Sequence, residues 1–211
     1  MTQRKRRGKA CAKMCATLQL QAMKPTPYPT EAALPAAAPA RLFLALWPPP
    51  ALAVALHARG AQFCADASAR CEAAGRLHLT LHFLGAVPRH RLPALQAALC
   101  LPFRPFELRL HACTRWPAGA VVAEPLASPP GLLALHTALA QMLAALGQHT
   151  EARAFRPHVT LARRHTGPWP AASASSAAAP LRWRVQRYVL VESRPGPPAH
   201  YQVLQTCGAL A

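Results

Sequence analysis

One strand pattern that occurs twice constrains this chain more than any other feature. Arg76-Leu77-His78-Leu79-Thr80-Leu81-His82-Phe83-Leu84-Gly85 is echoed by Phe155-Arg156-Pro157-His158-Val159-Thr160-Leu161-Ala162-Arg163. Both read His, aliphatic, Thr, Leu. Residues two apart on a β-strand point the same way. His78 and Thr80 are therefore expected on one face of their strand, and His158 and Thr160 on one face of theirs. Leu79 and Leu81, and Val159 and Leu161, face the opposite side as core. His82 has the parity of His78 and is expected on the cleft border, as a bystander. A lone His-x-Thr is an ordinary strand fragment. Two copies set in apolar, strand-like runs suggest two half-domains that each supply one strand to a shared cleft. Two facing imidazoles can act as general acid and general base near neutral pH, since an unperturbed His titrates near ~6.5. Two hydroxyls beside them can hydrogen-bond an oxyanion. Such a constellation suits phosphodiester hydrolysis without a metal or other cofactor.

The surroundings carry a resemblance. The pair of His-x-Thr units is similar to the double signature of the two-histidine phosphoesterase superfamily. Arg41-Leu42-Phe43-Leu44-Ala45-Leu46 resembles the first strand of the bacterial RNA 2',3'-cyclic phosphodiesterases, the LigT-like proteins historically called 2'-5' RNA ligases. Leu77–Gly85 and Arg156–Arg163 resemble the two motif blocks of that family, and Trp183–Leu190 with Tyr201–Leu204 its closing strands. The resemblance runs from about Arg41 to about Leu204. It implies an α+β fold of two lobes with pseudo-twofold symmetry, each an antiparallel sheet backed by helices, with a central cleft. It also implies catalytic roles for His78 and His158, and substrate phosphate binding by Thr80, Thr160 and Arg163. In the family the product is a 2'-phosphate, so by carry-over His78 protonates the leaving 3'-oxygen and His158 activates water. The residues alone do not say which His does which. The plainer alternative for Arg163 is a solvated charge at a strand end. The sequence departs from the family at Ala123-Glu124-Pro125-Leu126, where many members carry an apolar strand with a Trp; that changes the local wall of the cleft.

Charge favours the same partner. Seven of the 24 Lys and Arg and one of the seven acids lie in residues 1–40, so the rest of the 211-residue chain carries a net +11. That balance favours a polyanion such as RNA; the resemblance implies RNA ends or tRNA fragments with a 2',3'-cyclic phosphate as partners. Residues 1–40, with Arg4-Lys5-Arg6-Arg7 and five prolines, read as a disordered basic tail ahead of a 41–211 phosphoesterase domain. Neither a signal peptide nor an apolar span of membrane length is evident. Seven cysteines at irregular spacing suggest free thiols in a reducing cytoplasm, and a monomer is expected.

Strands are expected over 41–47, the two motifs, 106–111, 120–122, 181–191 and 201–206. Helices are expected over 51–73, 89–100 and 131–147, with His136 on the surface of the last. A non-catalytic RNA-binding module, a 2'-5' ligase working in the same site, and a hydrolase of another cyclic nucleotide are the alternatives.

Overall fold

The computed structural model describes residues 38–64, 69–151, 153–169, 179–196 and 200–210. The expected basic tail lies outside these residues apart from its last three, as do Cys11 and Cys15. The strands are β1 (Ala40–Leu46), β2 (Arg70–Cys71), β3 (Leu79–Val87), β4 (Phe106–Trp116), β5 (Ala120–Pro125), β6 (Val159–Arg163), β7 (Leu181–Val185), β8 (Arg187–Arg194) and β9 (His200–Gly208). The helices are α1 (Pro50–Ala61), α2 (Leu92–Leu99) and α3 (Pro130–Ala145). Neighbouring strands are antiparallel in the order β7-β4-β5-β6-β3-β1-β8-β9, and β2 adds to β6.

The two expected lobes are the two four-stranded halves of that order. They join where β3 meets β6 through one residue pair, Leu79 with Val159. The helices cross-brace the halves. α1 follows β1 of one half but packs behind β6 of the other, whereas α3 follows β5 and packs behind β3. Each starts at a Pro-Pro step, where a fixed φ and a missing N–H suit the first turn. Leu52 and Leu56 of α1, and Leu132, Leu135, Leu139 and Leu143 of α3, are buried on one side of the sheet. Cutting one of these leucines to Ala would cost roughly 2–5 kcal/mol. Gly60 lets α1 approach β6: a Cβ there would lie 3.1 Å from that of Leu161.

Leu79, Leu81, Val159 and Leu161 are buried on the helix side, as the alternation predicts. The parity of His82 does not hold. In the β1–β3 ladder Leu44 pairs with His82 and Ala45 with Thr80, so Leu81 is an extra residue. This β-bulge re-aims everything beyond it. His82 turns to the helix side, its Nε2 hydrogen-bonded to the His136 carbonyl at 2.9 Å. Its ring stacks on His136 at 4.0 Å, and His136 stacks on Phe155 at 3.9 Å, so His136 is packed rather than a free surface group. Phe83 turns instead toward the open face. A second bulge follows at Leu84, beside Gly85 with φ 69°.

Other departures have similarly local causes. The helix expected over 51–73 ends at Ala61; Arg70-Cys71 joins the sheet and Ala74–Arg76 is a 3₁₀ turn. The stretch expected as one strand over 181–191 breaks at Gln186, and its parts pair into opposite halves. β5 runs on to Pro125, which stands at the strand end, the place a missing N–H allows. The free thiols are overturned for four cysteines. Cys64 is bonded to Cys71 and Cys100 to Cys207, and among the described residues Cys113 is the free cysteine, buried. One partner lies across a loop and the other 107 residues away, so sequence spacing carried no sign of either pair. In the chain-entropy account the long loop contributes about 4–5 kcal/mol and the short one roughly half that. Among the described residues no helix is long and apolar enough to cross a membrane.

Candidate active site

The Leu79–Val159 pair sets the geometry of both motifs. An antiparallel register stepped one residue either way puts His78 across from Thr160 and Thr80 across from His158. The two histidines are then diagonal neighbours, with backbones roughly 7–8 Å apart. They stand at the residue just before each strand rather than inside it. Both line one cleft of about 800 Å³, together with Thr80, Thr160 and Arg163. All five residues picked out by sequence are therefore brought together.

The halves hold their imidazoles by the same device. His78 Nδ1 lies 2.7 Å from the Arg76 carbonyl, and His158 Nδ1 lies 2.7 Å from the Arg156 carbonyl. A carbonyl only accepts, so each Nδ1 carries its hydrogen and donates. Each Nε2 is left as the titrating atom, able to take or give a proton.

Their surroundings differ. The His78 ring stacks on Trp47 at 5.2 Å with 7° between planes, beside Phe43 at 4.9 Å and Tyr201 edge-on at 5.4 Å. Burial among these rings pushes its pKa down to about 4; the Arg76 hydrogen bond and the Glu72 charge oppose the shift, and Arg163 and His158 add to it. Among the described residues His158 lies against one aromatic ring, Trp116 at 4.2 Å. Burial lowers its pKa as well, against the Arg156 hydrogen bond and the Glu124 charge.

Two carboxylates brace the arginines of the site. Glu72 holds Arg163 Nε at 2.7 Å and lies 3.7 Å from Arg76. It is fixed beside β6 by its own N–H, which donates to the Leu161 carbonyl at 2.8 Å. Glu124, within the stretch that departs from the family, accepts from Thr114 and from Arg156 Nε at 2.9 Å. Burial would raise its carboxyl, but these hydrogen bonds hold it below the usual range. Arg156 in turn lies 4.4 Å over the Trp116 ring, and Arg76 lies 4.9 Å over Tyr201. The changed wall thus braces the arginine whose carbonyl orients His158.

A family model described as the 2'-5' RNA ligase superfamily matches residues 48–197. The chain belongs to this superfamily. It is 36% identical over 128 residues to the Escherichia coli protein named RNA 2',3'-cyclic phosphodiesterase, spanning 59% of this chain and 72% of that one. The crystal structure of E. coli LigT in its apo form superposes with a TM-score of 0.71 at 26% identity, covering 82% of this chain and 99% of LigT. The TT0787 protein of Thermus thermophilus gives 0.65 at 28% identity over 80% and 97% of the two chains. An antiparallel, curled sheet with few helices is common to this superfamily member and LigT.

Sequence reasoning missed the aromatic residues Phe43, Trp47, Trp116 and Tyr201, and the braces Glu72 and Glu124. They come from β1 and its end, from β4, β5 and β9, and from the loop after β2, all outside the two motifs. Arg76 and Arg156 did have a signal. The repeat extends two residues upstream as Arg-x-His-x-Thr, and the arginine carbonyl fixes the imidazole.

Proposed function

We propose that this protein hydrolyses 2',3'-cyclic phosphate ends of RNA to 2'-phosphomonoesters by general acid–base catalysis with His78 and His158. The observation that carries the reading is the matched pair of Nδ1–carbonyl hydrogen bonds, which leaves two Nε2 atoms on one cleft. His158 Nε2 takes a proton from water as its oxygen attacks phosphorus. The P–O3' bond breaks, and Nε2–H of His78 protonates the departing 3'-oxygen. This division of labour follows the resemblance. Thr80 and Thr160 donate to the non-bridging oxygens, where negative charge builds. Arg163, held in place by Glu72, adds a fixed positive charge beside them.

Protonation is tied to binding. With the cleft empty both imidazoles are neutral at pH 7, because burial depresses both. A bound phosphodiester anion raises them, His78 above all, and so loads the acid. The reading agrees with the activity named for the E. coli relative.

The test offers 2',3'-cyclic AMP and an RNA oligomer ending in 2',3'-cyclic phosphate, with and without EDTA. The expected product is a 2'-phosphate in both conditions. A 3'-phosphate, or no turnover of either compound, would overturn the reading.

A further inference from the structure

The open face of the sheet differs sharply on the two sides of the histidines. On the His78 side it is aromatic and aliphatic: Phe43, Trp47, Val189, Val191 and Tyr201 cluster there, and Val203 is exposed. On the His158 side it carries arginines. Arg156 stands beside Trp116. Arg109 of β4 pairs across the ladder with Arg182 of β7, and Glu107 with Arg184. Their neighbours Leu108, Leu110, Trp183 and Val185 are buried on the helix side. The charged residues therefore occupy the same face as the cleft. Glu107 is held by Arg109 at 2.5 Å and Glu124 by Arg156 at 2.9 Å. Arg182 and Arg184 are exposed and form no ion pair among the described residues.

We infer that the RNA strand leading to the cyclic phosphate runs from the cleft across this face, past Arg156 and Arg109 to Arg182 and Arg184. The inference rests on the cyclic-phosphate reading above and adds to it a polynucleotide substrate with a defined path. β6, β5, β4 and β7 span roughly 14 Å, three steps of about 4.8 Å, which is the reach of a few nucleotides. A mononucleotide fills only the cleft and does not meet β7. Single-stranded RNA needs cations along its backbone; on the aromatic side Arg41 and Arg76 stand at the cleft itself, and Phe43, Val189, Val191 and Val203 make up the face around and beyond them.

The test uses the full chain and a labelled single-stranded RNA of about ten nucleotides ending in a 2'-phosphate. Fluorescence anisotropy is measured for wild type, for Arg182→Ala/Arg184→Ala, and for Arg187→Ala/Arg194→Ala, which removes two charges from β8. The β7 variant is expected to bind the RNA about 5–10-fold more weakly. Its slope of log affinity against log salt should be shallower by about 1.4, at ~0.7 per lost contact. The β8 variant should stay within twofold of wild type. Equal losses in both variants, or none in the β7 variant, would overturn the path.

Turnover separates the two readings. In the β7 variant, loss on cyclic-ended RNA should exceed any loss on 2',3'-cyclic AMP at least fivefold, and parallel losses would count against the path. If wild type turns over neither compound, the hydrolase reading fails, while the anisotropy comparison still decides the path.

Discussion

The two halves of the site carry one motif in two environments. His78 sits among Phe43, Trp47 and Tyr201, whereas His158 lies against Trp116 with arginines around it. Both donate Nδ1–H to the carbonyl two residues upstream, so orientation is duplicated while the cost of carrying charge is not. Acid–base chemistry needs that combination: two imidazoles aimed alike, with environments that separate their proton affinities. In the proposed mechanism the arginine-rich side grips the anion, and the aromatic side makes one imidazole depend on that anion for its proton.

Removing an imidazole breaks the comparison most severely. His78→Ala and His158→Ala should each lower turnover of cyclic-ended RNA by at least ~10²-fold, read as kcat/KM, with the fold retained by circular dichroism. Arg163→Ala should raise KM about tenfold and lower kcat less, because it removes a phosphate contact and not a proton carrier. Glu72→Gln should mimic it weakly, since Arg163 keeps its charge but loses its tether.

Subtler changes sharpen the contrast. Trp47→Leu should raise the His78 pKa from about 4 toward the ordinary imidazole value, and Trp116→Leu should raise that of His158 by less. NMR titration of the ring protons reads both. The smallest effect concerns stability. His78, His82, His136 and His158 all have depressed pKa values in the folded state, chiefly through burial. The unfolded chain therefore binds protons first as pH drops below about 6.5. Tm should fall between pH 6.5 and pH 4 and level off above pH 7; a Tm unchanged over that window would contradict the burial of these rings.

The sequence made legible what is local. Alternation placed Leu79, Leu81, Val159 and Leu161 in the core and His78, Thr80, His158 and Thr160 on the cleft. The leucine stripe of α3 was equally readable. Failures came where one residue changes direction or where partners are distant. The extra residue at Leu81 turned His82 away, and parity counting cannot register a bulge. Gln186 sends two halves of an apparent single strand to opposite halves of the sheet order. Trp47, Trp116 and Tyr201 reach the site from three separate strands or strand ends, and Cys100 meets Cys207 from across the domain. None of these contacts has a spacing to detect. Even Glu124, which looked like a flaw in the family's strand, acquires its meaning only once Arg156 lies beside it.

The pH dependence of kcat/KM on cyclic-ended RNA, for wild type and for both histidine variants, tests the central claim most directly. In the proposed mechanism the active free enzyme carries one proton on the pair, and burial holds both pKa values below the ordinary 6.5. Wild type should therefore give a bell with its maximum on the acid side of 6.5, falling about tenfold per pH unit above its upper limb. The kcat profile should lie at higher pH, since the bound anion raises both groups. His158→Ala should lose the acid limb and His78→Ala the alkaline limb. A bell that survives intact in either variant would contradict the assignment of proton transfer to this pair.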